Sequence, residues 1–171
     1  MRVQSAAVMS SEADAALIRD RRSTLSKSAR PRSESTIASA LGNLSMFSLC
    51  SRRELKLVAK LAKIRTLRAG TTLIVEDEHD DTMYVIISGG ADVKRGNRKI
   101  ARLGSGAVVG ELAVLGKAPR NATVVTRTDC DIAAIARRDV YKLIEDAPGF
   151  SRKLLEALAN RVRELDRQLV G

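Results

Sequence analysis

Residues 110–123 hold the side chains whose types and spacing could do chemistry. Gly110 and Glu111 are followed, after Leu112, Ala113 and six further residues, by Arg120 and Asn121. Glycine has no Cβ, so a ligand can approach the backbone closely at Gly110. Glu111–Leu115 can form one helical turn directly after it, and the free amides at a helix start suit an anion. Arg120 arrives after a loop ended by Pro119, and its guanidinium can fork two oxygens of one phosphate. Glu111 is a strong acceptor for a sugar hydroxyl. An anion cradle, one arginine and one carboxylate suit a nucleotide with few negative charges. No Gly-x-x-x-x-Gly-Lys-Ser/Thr pattern occurs, which disfavours a triphosphate P-loop.

Other reactive residues are sparse. His79 is the single histidine and stands in the acidic run Glu76–Asp81, with five carboxylates in six residues. No Ser/His/Asp or Cys/His arrangement forms around it, so no catalytic role and no enzyme are expected. The acidic run lacks the alternating ligands, central glycine and terminal glutamate of an EF-hand, so it reads as a solvated loop and no metal is expected. Cys50 and Cys130 have no metal-ligand spacing and read as small buried hydrophobes.

The elements that must position residues 110–123 are strands. Ala62–Leu67, Thr71–Val75, Thr82–Ile87, Ala91–Lys94 and Lys99–Leu103 are short and rich in β-branched residues, with turn signals between them. Ala122–Thr126 and Cys130–Ala136 follow. Such spacing indicates an all-β sandwich or barrel. Helices flank it. Ser35–Gly42 is short and ends at Gly42. Ser51 caps a helix to Ala62, with Glu54 completing a capping box. Asp139–Asp146 is a short helix, and Pro148 opens a longer one to about Leu169. Its Leu154, Leu155, Leu158, Val162, Leu165 and Leu169 form an apolar stripe. The fold class is thus mainly β with flanking helices.

The segment Gly110-Glu111-Leu112-Ala113, six residues, then Arg120-Asn121-Ala122-Thr123 resembles the phosphate-binding cassette of cyclic nucleotide-binding domains. Such domains occur in Crp/Fnr-type regulators, kinase regulatory subunits and gated channels. Ala69-Gly70 and Met83-Tyr84-Val85-Ile86-Ile87-Ser88-Gly89 are similar to the family's early strands. The resemblance covers about Phe47 to Leu169. It implies a jelly-roll β-barrel with N-terminal helices and C-terminal lid or hinge helices at about 138–169. It implies that Glu111 accepts from the ribose 2′-hydroxyl and that Arg120 pairs with the cyclic phosphate. Backbone amides of Ala113 and Asn121 complete the cradle, Gly110 gives room, and Leu112 and Ala122 belong to the same cassette. Val108 and Val109 form an apolar wall near sugar and base. Asp77 and Asp80 stand where the family often has glycines, and aspartate tolerates the left-handed conformation such a turn needs. Asn121 replaces the hydroxyl residue that cGMP-selective relatives often carry, which favours cAMP over cGMP as ligand. No further cofactor is implied.

The chain has 171 residues and a net charge of +10. Residues 1–40 carry seven Lys/Arg against four Asp/Glu, and no run of five basic residues occurs. Residues 1–35 read as a disordered Ser/Arg-rich tail with a short helix around Ser11–Arg19 and a basophilic-kinase pattern at Arg21-Arg22-Ser23-Thr24. Residues 36–171 read as the domain. No stretch approaches 18 consecutive apolar residues, so no membrane span is expected; the first 30 residues lack a continuous apolar run after their positive charges, so no secretory signal is expected, and the cytoplasm is the expected compartment. The chain ends at Gly171 without a helix-turn-helix, so DNA is not the expected partner. The function this implies is a cyclic nucleotide sensor that signals to an unidentified protein partner, or to a second copy through the Leu154–Leu169 helix. The alternative is a basic interaction protein with a degenerate pocket, which contacts nucleic acid or protein through its tail and surface.

Overall fold

The computed structural model describes residues 33–170. The expected tail, its short helix and the Thr24 motif lie outside the described residues, apart from the tail's last three positions. Helix α1 (Glu34–Gly42) starts one residue before expectation, because the Ser33 hydroxyl accepts from the Thr36 N–H. Gly42 is its last helical residue and Asn43 caps it. A 3-10 turn at Ser45–Phe47 leads to α2 (Arg52–Leu61). The Ser51/Glu54 capping box is present there.

Eight strands follow: β1 (Lys63–Leu67), β2 (Thr72–Ile74), β3 (Thr82–Ser88), β4 (Ala91–Arg95), β5 (Arg98–Leu103), β6 (Val108–Val109), β7 (Thr123–Thr126) and β8 (Cys130–Ala136). The seven expected strands form within one or two residues of their expected bounds. The two-residue strand β6 was not foreseen. They make two four-stranded antiparallel sheets, ordered β1-β8-β3-β6 and β2-β7-β4-β5, in a jelly-roll arrangement. Between β6 and β7 lies α3 (Glu111–Gly116); α4 (Arg137–Asp146) and α5 (Pro148–Val170) close the described chain.

Strand alternation sorts the core into layers. On β3, Met83 and Val85 face the helices and pack with Phe47, Leu143 and Phe150. Ile86 faces the other sheet and packs with Ile74, Val93 and Val124. Strand β8 is paired on both edges and covered on both faces, which is why Ile132 to Ile135 are all buried. Phe47 and Phe150 stack at 6.2 Å between centroids and tie α5 to the N-terminal helices. Cys130 is buried and Cys50 half-buried. Burial, aided by Glu54, pushes the Cys50 thiol up to about 11, so it stays protonated at neutral pH.

The expected stripe on α5 divides. Leu154 is buried and Leu158 partly so against the helical core, whereas Leu155 and Val162 are 65% and 66% exposed. The side chains of Leu165 and Leu169 lie outside the described set. No helix among the described residues is long and apolar enough to cross a membrane.

Glu54 does more than cap. One carboxylate oxygen accepts from Ser51 N–H at 2.6 Å, and the other accepts from Gly149 N–H at 2.7 Å, at the start of α5. A Cβ on Gly149 would stand 2.2 Å from the Leu49 carbonyl oxygen, so only glycine permits this approach. The Ser51 amide leads the interactions that hold the Glu54 carboxyl below its ordinary 4.5. Glu54→Ala is therefore expected to cost about 1–2 kcal/mol and lower Tm by roughly 3–10 °C. A depressed carboxyl stabilises above its unfolded pKa. The difference from wild type in thermal scans should therefore shrink as pH falls below 4.5.

Candidate functional site

Arg120 is the one buried charged side chain among the described residues, 2% exposed. The guanidinium donates through Nη1 to the Gly110 carbonyl at 3.0 Å and through Nη2 to the Thr82 carbonyl. Nη2 also pairs with Asp80 at 2.8 Å. Its Nε–H is buried with no partner. Buried donors are nearly always satisfied, so this orphan marks a place where an acceptor belongs.

Gly110 makes the arrangement sterically possible. It has φ +84°, and a Cβ there would lie 2.2 Å from Arg120 Nη1 and 2.9 Å from the Thr82 carbonyl oxygen. The room that glycine provides is thus taken by the arginine. Directly after it, α3 opens with Glu111, whose neighbours Leu112 and Ala113 are exposed and buried.

The acidic run is only in part the solvated loop expected from composition: Asp77, His79 and Asp81 are exposed, but the run also bonds to distant residues. The Asp77 N–H donates to the Arg120 carbonyl, and the Arg120 N–H donates to the Glu78 carbonyl. Asp77 takes φ 65°, the left-handed turn foreseen for an aspartate there. Asp80 meets Arg120, Asp81 meets Arg137 at 2.6 Å, and Glu76 accepts from the Gly96 N–H. Local composition hid this, because the partners lie 20 to 56 residues away in sequence. His79 is exposed. No cluster of three potential metal ligands occurs among the described residues.

At Asp80, burial works to raise the pKa. The hydrogen bond and charge of Arg120, with hydroxyls of Thr82 and Tyr84, outweigh it and hold the group below 3.8. The Tyr84 hydroxyl donates to Asp80 at 3.2 Å. Glu111 moves the other way: burial dominates and raises it above 4.5, against its own N–H, Arg161 and Arg120.

The nine residues expected to bind the ligand come together here. Val108, Val109, Gly110, Glu111, Leu112, Ala113, Arg120, Asn121 and Ala122 line one cleft. Further residues contribute that the sequence does not single out. Ile74, Val93 and Val124 supply the inter-sheet wall, and Arg161 reaches in from α5. A long helix with an arginine every few residues gives no sequence signal for which one turns inward. The cleft encloses only about 40 Å³ with α5 in this position.

A second arginine fastens this unit to the C-terminal helices. Arg137, at the first position of α4, donates to the carbonyls of Val114 and Ala113 at 2.9 and 3.3 Å. These are carbonyls near the end of α3, which lacks further turns to satisfy them.

Residues 64–147 match the family model of the cyclic nucleotide-binding domain. This stretch is a cyclic nucleotide-binding domain. A CRP-like cAMP-activated global transcriptional regulator of Mycobacterium tuberculosis is 32% identical over 58% of this chain and 47% of its own length. The Thermus thermophilus catabolite activator protein is 27% identical, with a TM-score of 0.66 over 72% of this chain and 61% of that one. A cyclic nucleotide-binding domain from Methylobacillus flagellatus is 26% identical, with a TM-score of 0.64 over 78% and 80% of the two chains. The chain thus spans about half the length of the curated regulators it matches. The jelly roll and Crp/Fnr-type character expected from the cassette are borne out.

Within this domain Glu111 yields a pH-dependent prediction. A raised carboxyl pKa means the native state holds more protons than the unfolded chain. Stability therefore falls as pH rises from 4.5 through the raised value. Glu111→Gln should melt higher than wild type at pH 7, and the gap should close below pH 4.5. Thermal scans at the two pH values check it.

Proposed function

We propose that the cleft around Arg120 binds a cyclic nucleotide, cAMP in preference to cGMP, and that α4 and α5 relay occupancy to a partner. The observation that carries this reading is the orphaned Nε–H of a nearly fully buried arginine. It sits beside a carboxylate and an apolar wall, which together match the anionic, hydroxylated and aromatic parts of a nucleotide. Arg120 pairs with the cyclic phosphate, and the amides of Ala113 and Asn121 complete the cradle. Glu111 accepts from the ribose 2′-hydroxyl. Val108, Val109, Leu112 and Ala122 shape the sugar and base pocket, and Asn121 in place of a hydroxyl residue favours adenine. The regulators it resembles are named for cAMP, which supports the same choice.

The relay follows from volume. A cleft of about 40 Å³ is far smaller than a nucleotide, and Arg161 of α5 lines it, so nucleotide binding displaces α5. Ligand and closed helix therefore compete, and the equilibrium shifts by their differential affinity. Arg137 ties α3 to α4, and the exposed Leu155 and Val162 of α5 offer the output face to a partner or a second copy. The protein acts as a cytoplasmic regulator, not an enzyme.

Hydrogen exchange with and without saturating cAMP tests binding and relay together. Amides of 111–121 should slow, and those of 148–162 should change in rate. Unchanged exchange across both segments in a folded sample would overturn the proposal.

A further inference from the structure

A second cavity is larger than the cleft around Arg120. It opens between the two sheets at the β1–β2 edge and encloses about 750 Å³. That falls within the range of small-molecule sites, roughly 300–1,000 Å³. The register explains its lining. Lys63 and Arg65 stand opposite Ala134 and Ile132, and Ala134 stands opposite Tyr84, so all share the inner face of their sheet. Leu67, Leu73, Ile132 and the Tyr84 ring make the floor. Lys63 and Arg65 are exposed, so their charges stand at the open mouth of this face, above the apolar floor.

The charges are unbalanced. Lys63, Arg65 and Arg68 line the cavity, and none has a carboxylate partner among the described residues. Its two carboxylates are already committed, Asp80 to Arg120 and Asp139 to Arg138. The rim is held in place. Thr126 Oγ1 donates to the Arg68 carbonyl at 2.6 Å and accepts from the Thr71 N–H at 2.8 Å. Asp129 accepts from the Ala69 N–H at 2.8 Å.

We propose that this cavity is a second ligand site, for an amphipathic organic anion such as a medium-chain carboxylate, and that Asp80 links it to Arg120. The apolar floor takes the chain, and Lys63, Arg65 and Arg68 take the carboxylate. Asp80 bridges the two sites, since it lines this cavity, pairs with the cleft arginine and accepts from the Tyr84 hydroxyl. A ligand that shifts Asp80 alters what Arg120 offers to an anion on its other side. Binding at either site therefore changes affinity at the other by the same factor. The coupling rests on the cyclic nucleotide reading; the cavity as a binding site does not.

The probes are decanoate, decanol and decyltrimethylammonium, titrated into the whole chain by calorimetry with amide NMR to locate the shifts. Decanoate should saturate with shifts at Leu73, Ala134 and Tyr84, and decanol and the cation should bind at least roughly tenfold more weakly. Lys63→Ala with Arg65→Ala should weaken decanoate roughly tenfold or more. Decanoate at saturation should change the cAMP Kd several-fold. No saturable decanoate binding, equal binding of decanol, or indifference to the double substitution would overturn the site. The exposed cations of β1 would then serve to keep that edge strand from pairing with other chains. Decanoate binding without any change in cAMP affinity would overturn the link through Asp80. Loss of cAMP binding alone leaves the decanoate result standing, so the two readings fail separately.

Discussion

Arg120→Lys folds and binds cAMP roughly 10- to 100-fold more weakly than the wild type. One hydrogen bond to a charged group is worth about 1.5–3 kcal/mol, and lysine keeps the charge but loses the fork. The arginine holds three acceptors at once, the Gly110 and Thr82 carbonyls and Asp80, and still has Nε–H to offer. An ammonium cannot span that set. Arg120→Ala goes further, with a loss on the order of 2–5 kcal/mol in binding. It also strips Asp80 of the partner that outweighs its burial. Arg120→Ala should therefore lower stability at neutral pH, with the deficit shrinking as pH falls below 3.8, because a depressed carboxyl stabilises only above its unfolded pKa. Lysine is the better probe, since it separates recognition from folding. Parallel cAMP titrations and urea unfolding check both substitutions. Unchanged affinity in Arg120→Lys would mean that the arginine is purely structural.

Gly110→Ala is expected to damage stability and binding together. A non-glycine residue at φ +84° costs about 1–3 kcal/mol in backbone strain alone. The new Cβ then meets Arg120 Nη1 at 2.2 Å, so the guanidinium must leave its seat. Its two carbonyl bonds and the Asp80 pair go with it. Urea unfolding should show a loss of roughly 2–5 kcal/mol, and cAMP binding should vanish in whatever fraction remains folded. Gly104→Ala is the internal control: nothing lies within 4 Å of a Cβ there. Equal stability of the two variants would mean that Arg120 is not seated against Gly110.

How much of this could be read from the chain follows from how far each interaction reaches. The capping box at Ser51/Glu54 is a four-residue motif and appears where the sequence puts it. The strands carry β-branched residues bounded by glycine turns, and they form within one or two residues of expectation. Residues 108–113 and 120–122 converge because short segments, β6 and α3, place them. The second carboxylate oxygen of Glu54 bonds 95 residues away, and no local pattern announces that. Asp80 went unread for the same reason, since five neighbouring acids look like solvent-facing charge until Arg120 arrives from 40 residues downstream. The α5 stripe was read as one face. Packing splits it between Leu154, turned inward, and Leu155 and Val162, turned out. Strand β6 has two residues, too few for any period to register.

Calorimetric titration of the purified chain with cAMP and with cGMP tests the central claim most directly. The orphaned donor on Arg120 predicts saturable one-site binding, tighter for cAMP, and markedly weakened by Arg120→Lys. The absence of saturable binding for either nucleotide, in a sample that still unfolds cooperatively, would contradict it.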